Sequence, residues 1–198
     1  DMTREMGKVL TETRGDVQEA IDTGYYAGSE GRRFFGRTVP SELPNKAAFT
    51  THLPLGVVGL IAPWNFPMAI PSWKTFPALL AGNGVVFKPA SDVPLSGTHF
   101  IRTLVDAGVP PKLVNLVHGT GGSVGGPIIE HEGLQGLSFT GSTAVGKLIT
   151  RVSADTLKRV SLELGGKNAQ IVWEDADLDL ALEGVLWGAF GTTGQRCT

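Results

Sequence analysis

The sequence has a single cysteine, Cys197, among its 198 residues, so no disulfide can form within the chain. So little cysteine is typical of a reducing compartment, and we expect a cytoplasmic protein. No apolar run approaches the ~18 residues of a membrane-spanning helix. There is no long block of like charges either, and the net charge is only -2. We therefore expect no membrane and no nucleic acid among its partners.

The chain also lacks a methionine at its first position, and its start does not have the pattern expected of a signal peptide. It begins DMTREMGKVL, in which charges of both signs are mixed and no apolar core follows. It ends GTTGQRCT, one residue beyond the cysteine. Both ends resemble internal sequence, so we expect a segment of a longer protein. Its length suffices for the core of one or two domains.

Glycine is abundant, with 27 residues in 198, about twice the average usage of ~7%. From Pro54 onward, short apolar strands alternate with helices. The predicted strands are 56–63, 84–90, 113–119, 136–141, 158–167 and 168–175. The predicted helices are 71–82, 91–110, 123–133, 142–154 and 178–191. This alternation predicts an α/β protein, a Rossmann-like parallel sheet with helices on both faces.

The region before the alternation has a different pattern. Residues 1–35 are predicted to be helical, with residues of one face at helical spacing: Asp16, Val17, Ala20, Ile21 and Tyr25. Residues 37–54 contain three prolines and a β-favouring AAFTT stretch. This second stretch is either an extended arm or a long connection, and composition does not choose between the two.

Ligands of parallel sheets bind at the carboxyl ends of the strands, where two glycine-rich motifs occur. GSTAVGKL (141–148) nearly matches the phosphate-binding loop G-x-x-x-x-G-K-[ST] but ends in Leu148, which has no hydroxyl for Mg²⁺. HGTGGSVGG (118–126) fails the dinucleotide motif at Val124. Ser142 is expected to cap a helix, either as a simple N-cap or as part of an anion site.

Three single residues each allow a functional and an ordinary interpretation. Lys88 at a strand end either binds ribose or phosphate oxygens or is a solvated charge. Glu163 is either a general base of raised pKa or an edge glutamate that faces water. Cys197 is either a nucleophile activated by the neighbouring Arg196 or an inert small residue.

Five motifs together resemble the NAD(P)-dependent aldehyde dehydrogenase superfamily. They are APWNFP (62–67), KPAS (88–91), FTGSTAVGK (139–147), LELGGK (162–167) and GQRC (194–197). They follow the order and the approximate spacing of the family, and the resemblance covers essentially the whole chain. LELGGK followed some thirty residues later by a GQxC loop is the most specific part of the resemblance.

The resemblance implies a catalytic set. Cys197 attacks the aldehyde carbonyl, and the oxyanion is held by the Asn65 side-chain amide and the Cys197 backbone N–H. A hydride passes to NAD or NADP, and Glu163 activates the water that hydrolyses the thioester to a carboxylic acid. Lys74 corresponds to a family lysine near the base that helps relay protons. No metal is implied.

The resemblance also implies a cofactor-binding set. Lys88 and Ser91 correspond to the adenosine-ribose positions, and Ser142 to the pyrophosphate contact. The remaining members are Trp64, Gly141, Val145, Leu164 and Gly165. Relatives that prefer NAD often carry a glutamate at position 91; because Ser91 cannot repel a 2′-phosphate, NADP or dual use is expected.

By the same resemblance, residues 1–36 and 55–165 form the NAD(P)-binding domain, and residues 37–54 are the arm through which family members build homo-dimers or homo-tetramers. Residues 166–198 begin the catalytic domain. We expect the 198-residue chain alone to be inactive. Two alternatives stay open: an acylating dehydrogenase that releases a CoA thioester, against which Glu163 speaks, and a phosphate-loop nucleotide-binding protein. The sequence leaves the aldehyde unidentified, including whether Arg196 binds a substrate carboxylate.

Overall fold

A computed structural model describes residues 1–197, so Thr198, the last residue of the predicted catalytic-domain segment, lies outside the described residues. The strands are β1 (Thr38–Val39), β2 (Ala48–Phe49), β3 (Val57–Ile61), β4 (Gly84–Lys88), β5 (Val114–Leu116), β6 (Gly136–Thr140) and β7 (Arg159–Glu163). The α-helices are α1 (Met2–Met6), α2 (Leu10–Glu30), α3 (Ala69–Leu80), α4 (Pro94–Asp106), α5 (Gly126–Glu130), α6 (Thr143–Ala154) and α7 (Leu178–Phe190).

Five strands form one parallel sheet in the order β5-β4-β3-β6-β7. The chain runs outward from β3 through β4 to β5 and then returns to the other side of β3, where β6 and β7 follow. Ile61 at the end of β3 therefore stands beside both Lys88 of β4 and Phe139 of β6. The sheet confirms the predicted α/β class, and its strand order reverses between β3 and β6.

Helices cover both faces of this sheet, as the near-continuous apolar strands predict. On one face, side chains of α3 and α4 pack on the strands, and Phe87 and Leu60 are almost completely buried there. On the other face, α5 and α6 pack on β6, with Ile149 fully buried. Each such side chain contributes about 1.5–3 kcal/mol through burial. The sheet and its four helices thus form a continuous two-sided core.

The N-terminal region is helical as predicted but is divided into two helices. Gly7 adopts a left-handed conformation (φ 79°), which ends α1 and separates it from α2. Helix α2 packs against α3 and buries Thr13, Asp16, Ala20 and Ala27, whereas Val17, Ile21 and Tyr25 are exposed. Of the residues noted at helical spacing, Asp16 and Ala20 are therefore buried and the other three are exposed, because α2 is covered along a narrow strip.

The predicted strand at 168–175 is wrong. A strand needs a hydrogen-bonding partner, and none of the described residues pairs with this segment, which runs without regular structure up to the start of α7. Helix α7 forms where it is predicted, and Asp177 caps it by accepting from the backbone N–H groups of Asp179 and Leu180. Its apolar side chains are exposed in this chain.

Residues 37–54 lie outside the main sheet. Within them β1 and β2 form a two-stranded antiparallel ribbon in which Thr38 stands opposite Phe49. Phe49 and Leu53 are largely exposed. No helix within residues 1–197 is both long enough and apolar enough to cross a bilayer.

Candidate active site

A cleft of about 310 Å³ opens at the carboxyl ends of β3, β6 and β7, beside the point where the strand order reverses. Open α/β sheets bind their ligands at such a reversal. Its lining combines the turn after β3, the turn after β6, the residues after β7 and the end of the chain: Pro63, Trp64, Asn65, Thr140, Gly141, Ser142, Leu164, Gly165, Gly194, Gln195, Arg196 and Cys197. Seven of the predicted site residues meet here.

Asn65 lies in the turn between β3 and α3, at one wall of the cleft. Its side-chain Nδ2 donates a hydrogen bond of 2.7 Å to the carbonyl of Gln195, two residues before Cys197. An amide nitrogen carries two hydrogens, so this bond leaves the second one available for another acceptor. The bond also fixes the orientation of the amide, because the Gln195 carbonyl can only accept. Asn65 is thereby tied to the loop that carries the thiol.

Cys197 is exposed and lines the same cleft, after a tight turn over Gly191–Gly194. Its carbonyl accepts from Asn168 Nδ2 at 3.0 Å. The guanidinium of Arg196 lies 5.1 Å from the Trp187 ring and 5.9 Å from the Phe66 ring. The thiol is thus reachable from the cleft, with an arginine beside it that is half-buried between two aromatic rings.

Ser142 caps α6 at the floor of the cleft. Its Oγ accepts from the backbone N–H of Val145 at 3.3 Å, as predicted for an N-cap, and α6 continues for twelve residues. The positive end of this helix dipole therefore opens into the cleft, which favours an anion. Gly141 leads into the turn, where a Cβ would lie 2.5 Å from Phe139 Cζ, so that only glycine fits without displacing that ring.

The phosphate-loop alternative is wrong. In that motif the residues between the two glycines form an open loop around the phosphates, whereas here α6 is already helical from Thr143. Lys147 consequently sits in the second turn of α6 and is exposed.

Glu163 and Lys74 lie outside the cleft lining. Glu163 is the last residue of the edge strand β7; it is exposed and comes immediately before Leu164, which lines the cleft. Lys74 is buried on α3 and donates to Ser138 Oγ of β6 at 2.9 Å. Burial lowers the pKa of Lys74 to about 8, although the Glu163 carboxylate acts in the opposite direction. A lysine of this pKa exchanges its proton near neutral pH.

Three further residues of the predicted cofactor set also stand apart from the lining. Lys88 ends β4 and is buried, and its Nζ donates to the Pro89 carbonyl at 2.8 Å. Burial lowers the pKa of Lys88, and the Asp92 carboxylate counteracts this. Ser91 Oγ donates to the Gly119 carbonyl at 3.1 Å, and Val145 is exposed on the first turn of α6. Lys88 and Ser91 follow the strand next to β3.

One set of polar side chains that supports the cleft was not predicted from the sequence. Lys8, Glu12 and Asp16 contact the turns that carry Asn65 and Cys197. Their regular spacing of four residues was the only signal in the sequence, and it is shared by many exposed helix faces. Burial of Asp16 could not be read from the sequence, because it depends on how α2 meets α3.

The sheet, its reversal point and the cleft have the form of a doubly wound dinucleotide-binding fold with a thiol at its edge. Residues 2–198 match the model of the aldehyde dehydrogenase family, and the chain belongs to that family.

Individual relatives agree with the family match. The chain is 47% identical over 196 residues to alpha-ketoglutaric semialdehyde dehydrogenase of Bacillus subtilis, covering 99% of this chain and 40% of that protein. It is similar to the crystal structure of an E. coli NADP-dependent enzyme (TM-score 0.96, 41% identity, 100% of this chain and 41% of that one). It is also similar to a Bacillus cereus aldehyde dehydrogenase in complex with NAD⁺ (TM-score 0.89, 40% identity, 92% and 37%). The chain thus spans about two fifths of their length.

Proposed function

We propose that the enzyme containing this chain oxidises an aldehyde to a carboxylic acid with NAD⁺ or NADP⁺. One observation carries the proposal: the side chains of Asn65 and Cys197 line the same cleft at the reversal point of the sheet. Formation of a stabilised tetrahedral oxyanion requires a nucleophile and a hydrogen-bond donor at one site.

The first steps need only these two residues. The Cys197 thiolate attacks the carbonyl carbon, a C–S bond forms, and the π electrons of the carbonyl move to its oxygen. The second N–H of the Asn65 amide and the Cys197 backbone N–H hold the resulting oxyanion. NAD⁺ or NADP⁺ held beside Ser142 and the start of α6 would supply the hydride acceptor; loss of the hydride would re-form the C=O bond and leave the acyl group on the Cys197 sulfur as a thioester.

Glu163 and Lys74 serve the second half of the reaction. The Glu163 carboxylate takes a proton from water, which attacks the thioester and expels the Cys197 thiolate. Glu163 is exposed in this chain, so its side chain is accessible to water. The lowered pKa of Lys74 and its electrostatic coupling to Glu163 support a role in returning that proton to solvent.

The residues present fit a dinucleotide. Ser142 and the start of α6 offer free backbone N–H groups to a pyrophosphate, while Gly141 keeps the turn free of a side chain. Trp64, Leu164 and Gly165 line the same cleft, with Val145 close by on α6. Lys88 and Ser91, one strand away, are placed to meet the adenosine ribose. Ser91 carries no charge, which supports use of NADP⁺ as well as NAD⁺.

The substrate we propose is an aldehyde that also carries a carboxylate. Arg196 adjoins the nucleophile, forms no ion pair within residues 1–197, and has a buried Nε without a hydrogen-bond partner among them. A guanidinium pairs well with a carboxylate. The name of the Bacillus subtilis relative, a semialdehyde dehydrogenase, agrees with this substrate class.

The test is steady-state kinetics of the full-length enzyme with a panel of aldehydes, with and without a carboxylate, and with NAD⁺ and NADP⁺ side by side. Cys197→Ser should lose at least ~10³-fold in kcat, because an alcohol is a much weaker nucleophile than a thiolate. Arg196→Gln should raise KM for carboxylated aldehydes alone, with Arg151→Gln as the control. Unchanged turnover in Cys197→Ser would rule the mechanism out, and release of a CoA thioester instead of an acid would establish the acylating alternative.

The wider organisation belongs to the same proposal. We assign residues 1–36 and 55–165 to the NAD(P)-binding domain and 166–198 to the start of the catalytic domain. The exposed ribbon within residues 37–54 is assigned to subunit contacts in a homo-dimer or homo-tetramer, and the single cysteine supports a cytoplasmic location. Because the chain covers only part of its relatives, the 198-residue chain alone should oxidise no aldehyde; turnover by the purified chain would contradict this.

A further inference from the structure

Three polar side chains four residues apart link the start of α2 to both walls of the cleft. They are Lys8, two residues before the helix, and Glu12 and Asp16 within it. We call them the α2 row. Each bonds a backbone group outside α2: Lys8 the turn that carries Asn65, Asp16 the first residue of α3 after that turn, and Glu12 the turn before Cys197.

The ends of the row hold the turn of Asn65. Lys8 Nζ donates to the Asn65 carbonyl at 3.0 Å, and Asp16 Oδ1 accepts from the Ala69 N–H at 2.7 Å. Helix α3 has no side-chain cap of its own, so Asp16 supplies from α2 the acceptor that its first turn needs. Lys8 and Asp16 also pair at 3.4 Å, with their side chains 1% and 0% exposed. A buried pair of this kind adds little net stability but fixes geometry.

The middle of the row holds the turn before Cys197. Glu12 Oε1 accepts from the buried N–H of Thr192 at 2.9 Å. Thr192 and its neighbour Thr193 both have positive φ, 52° and 55°, which is unfavourable for β-branched residues. Such a conformation persists only where its surroundings hold it, and Glu12 is the side chain that bonds it from another element. Cys197 follows five residues later.

We infer that the α2 row is a positioning device: Lys8, Glu12 and Asp16 set the turn of Asn65 and the turn of Cys197 at a fixed separation from one common helix. The inference rests on the proposed function. The row touches neither the thiol nor the amide of the site; it acts through backbone groups. Because the oxyanion must meet both walls at once, a shift of one turn by about 1 Å lowers the rate of the chemical step on the order of a hundredfold.

Two substitutions test the length and the charge of the side chain at position 12 separately. In the full-length enzyme, Glu12→Gln keeps the length and an acceptor oxygen but removes the charge, whereas Glu12→Asp keeps the charge and is one methylene too short to reach Thr192. Glu12→Asp should lose at least tenfold in kcat with an unchanged KM for the dinucleotide, and Glu12→Gln should stay within about threefold of the wild type. Deuterium uptake by the peptide over Gly191–Gly194 should rise in Glu12→Asp alone. Asp22→Ala, an exposed change on the same helix, is the control.

Each outcome decides something. Wild-type kcat in Glu12→Asp, or loss of kcat in Glu12→Gln with retention in Glu12→Asp, overturns the inference. Both variants keep a polar side chain at a half-buried position, and equal thermal unfolding temperatures establish that the comparison is between folded enzymes. A further outcome is that the wild type oxidises no aldehyde, although deuterium uptake over Gly191–Gly194 depends on the side-chain length at position 12. In that case the proposed function is wrong and the contact between Glu12 and Thr192 is real. The role of the α2 row in catalysis is then wrong as well.

Discussion

The sheet (residues 55–163) and the segment after it (164–197) both line one cleft but are stabilised in different ways. In the sheet, five strands are hydrogen-bonded to one another, and helices cover both faces. In the segment, α7 has no buried residue, and two threonines have positive φ. The sheet positions Ser142 by its own core, and Lys8 and Asp16 add hydrogen bonds from α2 that hold the turn of Asn65. The loop of Cys197 takes its position from bonds to Asn65 and to Glu12.

The difference shows where precision at this site originates. Strand ends in a packed sheet are fixed by many weak contacts, so no single contact decides their position. The thiol loop is fixed by a few hydrogen bonds, each of which matters individually. We therefore expect substitutions in the sheet to change stability, and substitutions at the bonds of the loop to change rate.

The largest expected effect on stability comes from replacing a phenylalanine in each of the two regions. Phe87 is fully buried in β4, whereas Phe190 at the end of α7 is 71% exposed. In the 198-residue chain, Phe87→Ala should lower the free energy of unfolding by about 3–5 kcal/mol, and Phe190→Ala by less than about 0.5 kcal/mol. Urea unfolding followed by circular dichroism measures both values. Equal losses would mean that the segment is as well packed as the sheet.

Asn65 tests the link between the regions. Asn65→Ala in the full-length enzyme should lower kcat on the order of 10²–10³-fold, about 3–4 kcal/mol, because an oxyanion donor is lost together with the bond to Gln195. Stopped-flow measurement of the hydride-transfer step checks this. Asn115→Ala is the control, since this exposed asparagine bonds only backbone carbonyls near β5. A loss confined to KM would contradict an oxyanion role.

Most of the sheet could be predicted from the sequence, and most of the loop could not. Strands 84–88 and 136–140 are apolar and bounded by glycine or proline, a pattern set by local sterics and burial on both faces. The segment 168–175 has the same apolar pattern as those strands but forms none, since pairing depends on a neighbour and not on composition.

The site divides in the same way. The N-cap at Ser142 follows from its residue type and its place after a strand, so it was predictable. The contacts of Lys8, Glu12 and Asp16 join residues 53 to 180 positions apart. Nothing local encodes them: the contacts of Lys8 and Asp16 depend on how α2 meets α3 and the turn before it, and the contact of Glu12 depends on how the turn over Gly191–Gly194 meets α2.

The two regions can also be compared through the pH dependence of the free energy of unfolding, because the buried Lys74 belongs to the sheet region alone. Its pKa is about 8 against an ordinary 10.5, so the folded chain penalises the charged form. Between pH 8 and 10.5 the unfolded chain binds more protons than the folded one, and stability rises with pH. From pH 7 to 9.5 the wild type should gain about 2 kcal/mol more than Lys74→Met in urea unfolding. The exposed Lys147→Met should follow the wild type; parallel pH curves for Lys74→Met and the wild type would show that burial does not perturb this amine.

The smallest effect, at Ser142, separates a helix cap from an anion site. Ser142→Ala should cost about 1 kcal/mol of stability, because the bond to the Val145 N–H is lost, while Thr143→Ala at the next position should cost little. Ser142→Asp restores the cap and places a negative charge at the floor of the cleft. If the start of α6 receives a pyrophosphate, this variant keeps its stability but binds NAD⁺ and NADP⁺ roughly tenfold more weakly, as measured by calorimetry on the full-length enzyme. Unchanged affinity for the dinucleotide would mean that Ser142 serves only as the cap of α6. The dinucleotide would then bind elsewhere along the cleft.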